Sequence, residues 1–382
     1  MGEYKIKKFK LIPLLCIILL IFSSISIRII GVNSKENSDL KTFEEKINFF
    51  EFKSKNIGSY SVLETSEEKN LDFLNKPGEP MLHVVINTYS FPIDTKIKNI
   101  DFEISEIITE KIDYKIKPAP QKIPVKTLTK TNYNSNSIQK SKIYDKSDIY
   151  PNSWFDYDIS VGREGDKRVI FLTIRSYPVR YNPVDDSLFK ISEINYKVEY
   201  EQEKSTENLK ESYNMVIICP KKFEKPLEKL VSHKNSIGVK TFIKTSDEIY
   251  FEYDGRDKAE DIKLFIKDAL DFFNIKYVLL VGGRDKQKDS WNLPSRYSNT
   301  HDKDLWNDTF VTDLYFADIY YYNETTESVE FDDWDSNKNN IFAEWTWKDY
   351  NIYQWYDLDK KDILDMYPDV YVGRLACRNI FE

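Results

Sequence analysis

Thiols and imidazoles are scarce in this chain. Its 382 residues include three cysteines and three histidines. Cys16, Cys219 and Cys377 are too few for a disulfide framework or a thiolate metal cage. His83, His233 and His301 leave little from which to build a histidine-rich metal centre. An excess of positive charge is missing as well. Lys and Arg total 55 against 63 Asp and Glu, for a formal net charge of -8. Phosphate recognition needs clustered Lys and Arg, so the balance argues against a dedicated nucleic-acid binder.

Aromatic residues, by contrast, are plentiful: 26 Tyr and 23 Phe supply ample core material. The length suits two or three domains. Lys5, Lys7, Lys8 and Lys10 precede an uncharged run, Leu11 to Ile27, that ends at Arg28. A basic flank before an apolar core is the pattern of a secretory leader. The expected cleavage pattern of small residues is replaced by Ser23-Ser24-Ile25-Ser26, so residues 11–30 also read as an uncleaved membrane anchor. Either way the chain is expected outside the cytoplasm, secreted or at the cell surface.

Residues 31–75 are polar and read as an irregular linker, with an amphipathic piece at Phe43, Ile47 and Phe50. Residues 76–205 read as a β-rich, sandwich-like domain. Ile100, Phe102 and Ile104 alternate with polar neighbours, as a half-buried strand requires. Arg168 to Arg175 and Ile194 to Tyr200 are the clearest later strands. The polar stretch from Thr127 to Ser147 reads as an exposed loop, and the charged segment Glu201 to Ser212 as an interdomain linker.

From residue 206 the pattern changes. Met215 to Cys219 is a short apolar strand. Phe223, Leu227, Leu230 and Val231 fall on one helical face, with Gly238 placed to stop the helix. Val239 to Ile243 is the next strand. Asp257 is a plausible cap for a helix carrying Ile262, Phe265, Ile266, Ala269, Leu270 and Phe273. Tyr277-Val278-Leu279-Leu280-Val281 then runs without alternation into Gly282-Gly283, as a strand covered on both faces does. Strand, helix, strand, helix, strand in this order predicts an α/β fold with a doubly wound parallel sheet. Residues 285–367 are acidic and loop-rich. Val370 to Arg374 reads as one more buried strand, after which no covering helix follows; this reads as a fragment of a longer product.

Taken together, these pieces resemble the gingipain-type cysteine peptidases, relatives of the caspase-like proteases. The resemblance is carried by Tyr213 to Ile218, Ile237-Gly238-Val239, Tyr277 to Gly283, Thr312-Asp313-Leu314-Tyr315-Phe316-Ala317, and Tyr367 to Leu375. The β-rich part, with Gly78-Glu79-Pro80 and Pro178 to Pro183, is similar to the propeptide of such enzymes. The resemblance implies a three-layer caspase-like catalytic domain, incomplete at its C-terminus. It also implies a polypeptide substrate cut by a cysteine thiolate with a histidine as general base. The family's catalytic His, in a His-Gly pair, and its Cys lie beyond the strand that ends here at Arg374. No His-Gly pair occurs in this chain. No catalytic residue is therefore assigned, and both are expected after Glu382. Propeptide cleavage is expected between Glu201 and Ser212.

Cys219 and Cys377 read as small buried hydrophobes, His233 as a surface residue and His301 as an acidic-loop residue of no assigned role. The resemblance also implies that Asp365, placed before the Gly-Arg strand as such peptidases place an acid, receives a basic substrate side chain, with cleavage after Arg or Lys. Asp335, Asn337, Asn339, Ile341 and Glu344 alternate like the ligands of a calcium loop and predict structural Ca2+. Asn340 stands where such loops carry Gly, and the Glu comes early. The competing reading is a non-enzymatic, calcium-stabilised extracellular binding or adhesion module on a peptidase-derived fold. A cytoplasmic flavodoxin-like receiver is a third reading, at odds with the leader and the acidic loops.

Overall fold

A computed structural model describes residues 28–29, 40–65, 70–120, 140–202, 212–285, 290–301, 308–347, 358–360 and 362–382. The run Leu11–Ile27 and most of the segment Glu201–Ser212 lie outside these. Among the described residues no helix is long and apolar enough to cross a membrane. The chain divides into two compact units. One comprises Ile27–Ile159 and Phe171–Glu203; the other takes Ser160–Ile170 together with Lys204–Glu382.

Apart from a 3-10 turn at Lys142–Asp145 and a two-residue strand at Arg28–Ile29, the first unit consists of strands joined by loops. In chain order these are β1 (Leu40–Asn48), β2 (Lys53–Ile57), β3 (Tyr60–Glu64), β4 (Leu71–Phe73), β5 (His83–Pro92), β6 (Thr95–Ile104), β7 (Ile108–Lys111), β8 (Lys115–Ile116), β9 (Phe155–Glu164), β10 (Lys167–Ser176), β11 (Val179–Asn182), β12 (Ser187–Lys190) and β13 (Glu193–Gln202). Two sheets face each other, one ordered β5-β10-β9 with β4 on β5, the other β1-β13-β6. Strand β13 shows why. Ile194, Tyr196, Val198 and Tyr200 are buried and their neighbours are not, the period of two that sends alternate side chains to one face. Those side chains meet the opposite sheet. Phe91 lies 5.0 Å from Tyr200, Phe43 lies 4.8 Å from Tyr89, and the hydroxyls of Ser176 and Tyr196 are 2.7 Å apart.

The polar segment at 31–75 differs from expectation. Phe43 and Ile47 do not form a helical face. They lie on β1, which pairs antiparallel with β13 along its whole length. The spacing of Phe43, Ile47 and Phe50 fits a helix, but a partner strand of matching alternation overrides local period. A smaller core holds Phe52, Leu63, Leu82, Tyr181 and Leu188. Beside it His83 is buried between the rings of Phe52 (5.0 Å) and Phe73 (4.2 Å), and its Nε2–H donates to the Leu63 carbonyl at 2.7 Å.

The second unit is built on β14 (Met215–Cys219), α1 (Lys221–Ser236), β15 (Thr241–Thr245), α2 (Ser246–Glu252), α3 (Lys258–Phe273), β16 (Tyr277–Val281) and β17 (Tyr371–Leu375). The four strands form one parallel sheet in the order β15-β14-β16-β17. Met215 aligns with Thr241 on one side and Tyr277 on the other, and Tyr277 aligns with Tyr371. This is the doubly wound α/β fold the sequence predicts. Met215, Ile217, Cys219 and Val281 pack with Phe223 and Leu227 of α1. Val216, Ile218 and Leu280 point to the other face, where a right-handed crossover from β15 to β16 puts α3. Its apolar stripe, Ile262, Phe265, Ile266, Ala269 and Leu270, is buried there. Replacing Ile217 or Leu280 with Ala at these solvent-free positions removes about 2–5 kcal/mol. Gly238, at φ +84°, stops α1, and Asp257 caps α3 by accepting from Ala259 and Glu260.

Burial pulls the His83 imidazole below its ordinary value. The unfolded chain therefore binds more protons as pH falls through the ordinary range near ~6.5, and acid destabilises the first unit. In an NMR titration of the intact chain, the His83 midpoint is expected below the free-imidazole value of ~6.5. A His83 midpoint at or above the free-imidazole value would refute the assignment.

Candidate functional site

Open parallel sheets receive ligands outside the carboxyl ends of their strands, so the edge formed by Cys219, Val281 and Leu375 is the place to look. Two turns meet there. The N–H of Gly282 donates to the Leu375 carbonyl at 2.9 Å and that of Gly283 to the Cys377 carbonyl at 2.8 Å. A Cβ on Gly283 would lie 2.3 Å from the Ala376 oxygen, so this approach requires glycine. Arg374, at the end of β17, fastens the same turn from below. Its guanidinium pairs with Asp313 at 2.6 and 2.8 Å and donates to the carbonyls of Gly282, Leu293 and Pro294 at 2.7–2.9 Å. Ser295 donates to Asp313 at 2.7 Å. A planar fork with every N–H used fixes a loop far more rigidly than an ammonium can. The edge is therefore pre-shaped, and a pocket of about 420 Å³ opens beside it, walled by Phe223, Leu227, Val281 and Leu375 with Cys377 at the side.

The thiols there are not activated: at Cys219, burial outweighs the adjacent Lys221 charge. Cys219 is fully buried at the end of β14, and burial pushes its thiol up to about 12. Cys377 is half-buried, packs against the cluster around Phe223 and Val281, and its thiol donates to the Leu375 carbonyl at 3.5 Å. A nucleophilic thiolate needs an imidazole, a cation or a helix N-terminus to lower its pKa. His83 lies in the all-β unit, and the side chain of His301 is outside the described residues. Among the described residues at this edge, no imidazole accompanies either sulfur.

Asp365 lies at the other end of the sheet. The segment Ser160–Ile170, the turn between β9 and β10, belongs to the α/β unit and is held on the amino-terminal side of the strands. Arg163 donates to the carbonyls of Asp369 (2.9 Å) and Ile275 (3.1 Å), which precede β17 and β16. The Arg163 N–H donates to the Pro368 carbonyl at 3.0 Å. Arg168 pairs with Asp271 at 3.2 Å and lies 4.6 Å from the Tyr320 ring, and Lys276 pairs with Asp166. Asp365 joins this set: its Oδ2 accepts from Val161 at 2.7 Å and its Oδ1 from Tyr367 at 2.9 Å. A substrate guanidinium at Asp365 would have to displace Val161, so the expected role in binding a basic side chain does not fit this geometry. Burial first, and then the Asp318 charge, hold the Asp365 carboxyl well above the usual range. Burial raises the Asp318 carboxyl as well.

The predicted calcium loop closes on itself. Asp335 is fully buried; its Oδ2 accepts from Arg256 at 2.5 Å and from the N–H of Asn340 at 3.0 Å, and its Oδ1 from Asn339 at 2.8 Å. Asn337 Oδ1 accepts from Asn339, and Asn339 Oδ1 from Ile341. Glu344 accepts from the side-chain amides of Asn337 and Asn339. Arg256 also pairs with Glu260 and Asp333 and lies 4.7 Å from the Phe342 ring. The positive charge this loop needs is thus already present as a guanidinium. Among the described residues no three His, Cys, Asp or Glu side chains converge as a metal site. The five residues, bonded to one another and to Arg256, do not fit a resident calcium ion. Sequence reasoning could not find Arg256, which lies 79 positions away.

Comparison with known families places these observations. Residues 208–382 match Peptidase family C25, and residues 29–218 match Propeptide_C25. The all-β part and the parallel α/β part thus define a proenzyme of the cysteine-peptidase class. The chain carries a C25, or gingipain, peptidase domain preceded by its C25 propeptide domain. No curated protein matches. Among solved structures, the complex of Porphyromonas gingivalis RgpB pro- and mature domains is similar at 16% identity, over 45% of this chain and 86% of that one, with a TM-score of 0.32. A structure on the zymogenic latency of gingipain K from the same organism is similar at 13% identity, over 43% and 88%, also with a TM-score of 0.32. Likeness at this level decides nothing here; the fold rests on its own strand order and register.

Two outcomes follow from the buried charges. Removing Arg256 leaves Asp335 buried and unpaired, so Arg256→Ala is expected to cost about 3–5 kcal/mol in chemical denaturation. Added calcium is expected to leave the wild-type melting temperature unchanged; a rise would restore the metal reading. Burial raises the Asp369 carboxyl to about 7, against the Arg168 charge and the N–H groups of Ile319 and Tyr320. A raised carboxyl contributes stability that is full in acid and lost as pH climbs through that value. Protection of the Ile319 and Tyr320 amides, corrected for intrinsic exchange, is expected to fall between pH 5 and 8. Asp369→Asn is expected to flatten that fall, and an unchanged slope in the variant would contradict it.

Proposed function

We propose that this chain is the propeptide and amino-terminal catalytic portion of an exported cysteine endopeptidase, and that the nucleophile and general base reside on sequence outside these 382 residues. The single observation that supports this most is the state of the carboxyl edge. It is glycine-turned and fastened by Arg374, yet among the described residues no imidazole accompanies either thiol at it. In the complete enzyme a thiolate attacks the scissile carbonyl and a histidine returns the proton to the leaving amine. The chain's own contribution is the rigid floor on which those groups are set. Export is supported by the basic flank and apolar run before Arg28. Processing in the charged stretch between Glu201 and Ser212 would separate the two domains. A preference for basic residues has no support left in Asp365.

The purified 382-residue chain is expected to be silent toward Arg-, Lys- and apolar-P1 peptides, with or without reductant. Iodoacetamide-sensitive hydrolysis that disappears in Cys377→Ala would overturn the reading. A longer product carrying a His-Gly pair and a later Cys is expected to cleave.

A further inference from the structure

Lys263 lies on α3 on the same helical line as Ala259, Ile266 and Leu270, and is fully buried. Its ammonium has no hydrogen-bond partner. It faces three rings, Tyr315 at 4.2 Å, Trp334 at 5.4 Å and Phe331 at 5.6 Å. Ring faces attract a cation but cannot accept its three N–H bonds in full. Three carboxylate oxygens among its charged neighbours, Asp318 Oδ1, Asp332 Oδ2 and Asp369 Oδ1, are in the same condition. Asp332 Oδ1 accepts from the Trp334 N–H at 2.8 Å, and Asp332 Oδ2 accepts from nothing. Asp369 Oδ2 accepts from Ile319 and Tyr320 at 2.8 Å each, and Asp369 Oδ1 accepts from nothing. Both side chains are at most 3% exposed. Asp318, which accepts from Trp334 Nε1 at 2.8 Å, completes the surroundings. The charges of Asp332, Asp318 and Asp369 act on the ammonium in that order.

Opposite charges that attract through a protein interior but do not touch leave a gap. Buried polar groups left without a partner lose their full hydration, and folded proteins meet such gaps with ordered water that makes about three hydrogen bonds. A metal is a poor occupant, because the ammonium already supplies the cation and the acids do not converge as ligands. We propose that Lys263 Nζ, Asp332 Oδ2 and Asp369 Oδ1 enclose a buried water site that bridges α3 to the segments before β17 and around Trp334. The water is a structural member of the α/β unit. It lets one lysine hold two separated stretches of the acidic region without direct ion pairs, and it gives the buried carboxyls a route for exchanging protons with the ammonium.

The test is a crystal structure of the intact chain at a resolution that shows ordered solvent, from crystals grown with a chelator and with calcium. A solvent peak about 2.6–3.2 Å from Nζ and from at least one of the two oxygens, present in both crystals, is the expected result. No peak in either crystal would overturn the proposal. So would a peak with oxygen ligands at about 2.3–2.6 Å that the chelator removes, which is a calcium signature. In solution, 17O relaxation dispersion counts long-lived internal waters. A Lys263→Met variant shown by circular dichroism to be folded is expected to lose at least one, and an unchanged count would speak against the site.

Discussion

Strand β16 carries the α/β unit because it is hydrogen-bonded on both sides. Tyr277 to Val281 pairs in parallel with β14 on one flank and β17 on the other. A central parallel strand must be covered above and below, since neither face can offer polar side chains to water without unbalancing the layers. That single requirement sets the apolar run, the two helical layers and the position of the glycine turn that follows. It also gives the strands a common direction, and so separates a carboxyl edge with glycine turns from an amino edge where the segment Ser160–Ile170 is held.

The acidic region between β16 and β17 is tied to the rest of the α/β unit by guanidinium–carboxylate pairs. Arg256 takes Asp333, Asp335 and Glu260. Arg296 takes Asp257 while lying 3.6 Å from the Phe342 ring and 4.2 Å from that of Tyr315. Arg374 takes Asp313. Each guanidinium is planar, charged at every relevant pH and able to stack on a ring while its edge binds carboxylates. Carboxylates that look like solvated turns in the sequence are in this way drawn into the interior, where single ion pairs become structural. Removing one partner of such a pair costs far more than the pair contributes over an apolar replacement.

Legibility in the sequence followed distance along the chain. The strands at Met215 and Tyr277 could be read because five consecutive apolar residues leave no alternative, and the stripe of α3 because its period is local. Strand β1 could not, because Phe43 and Ile47 suit a helix until β13 lies beside them. The oxygen-rich loop at Asp335 was visible, but its cation was expected to be an ion from solution rather than Arg256. Asp365 stands out only through the resemblance that places an acid before the Gly-Arg strand, and the N–H groups that bind it come from Val161 and Tyr367. Lys263 left a signal that went unused: a lysine on a helical line otherwise filled by Ala259, Ile266 and Leu270 is a charge in a core position, and such a charge always needs an internal answer.

The contact between Gly283 and Ala376 has a mechanical consequence. With no room for a single carbon between them, the turn leaving β16 and the strand exit at Ala376 cannot slide past each other. Any displacement of one drags the other, and Arg374 ties both to Asp313. The polypeptide that continues past β17 therefore starts from a bearing fixed by residues nearly a hundred positions earlier in the chain.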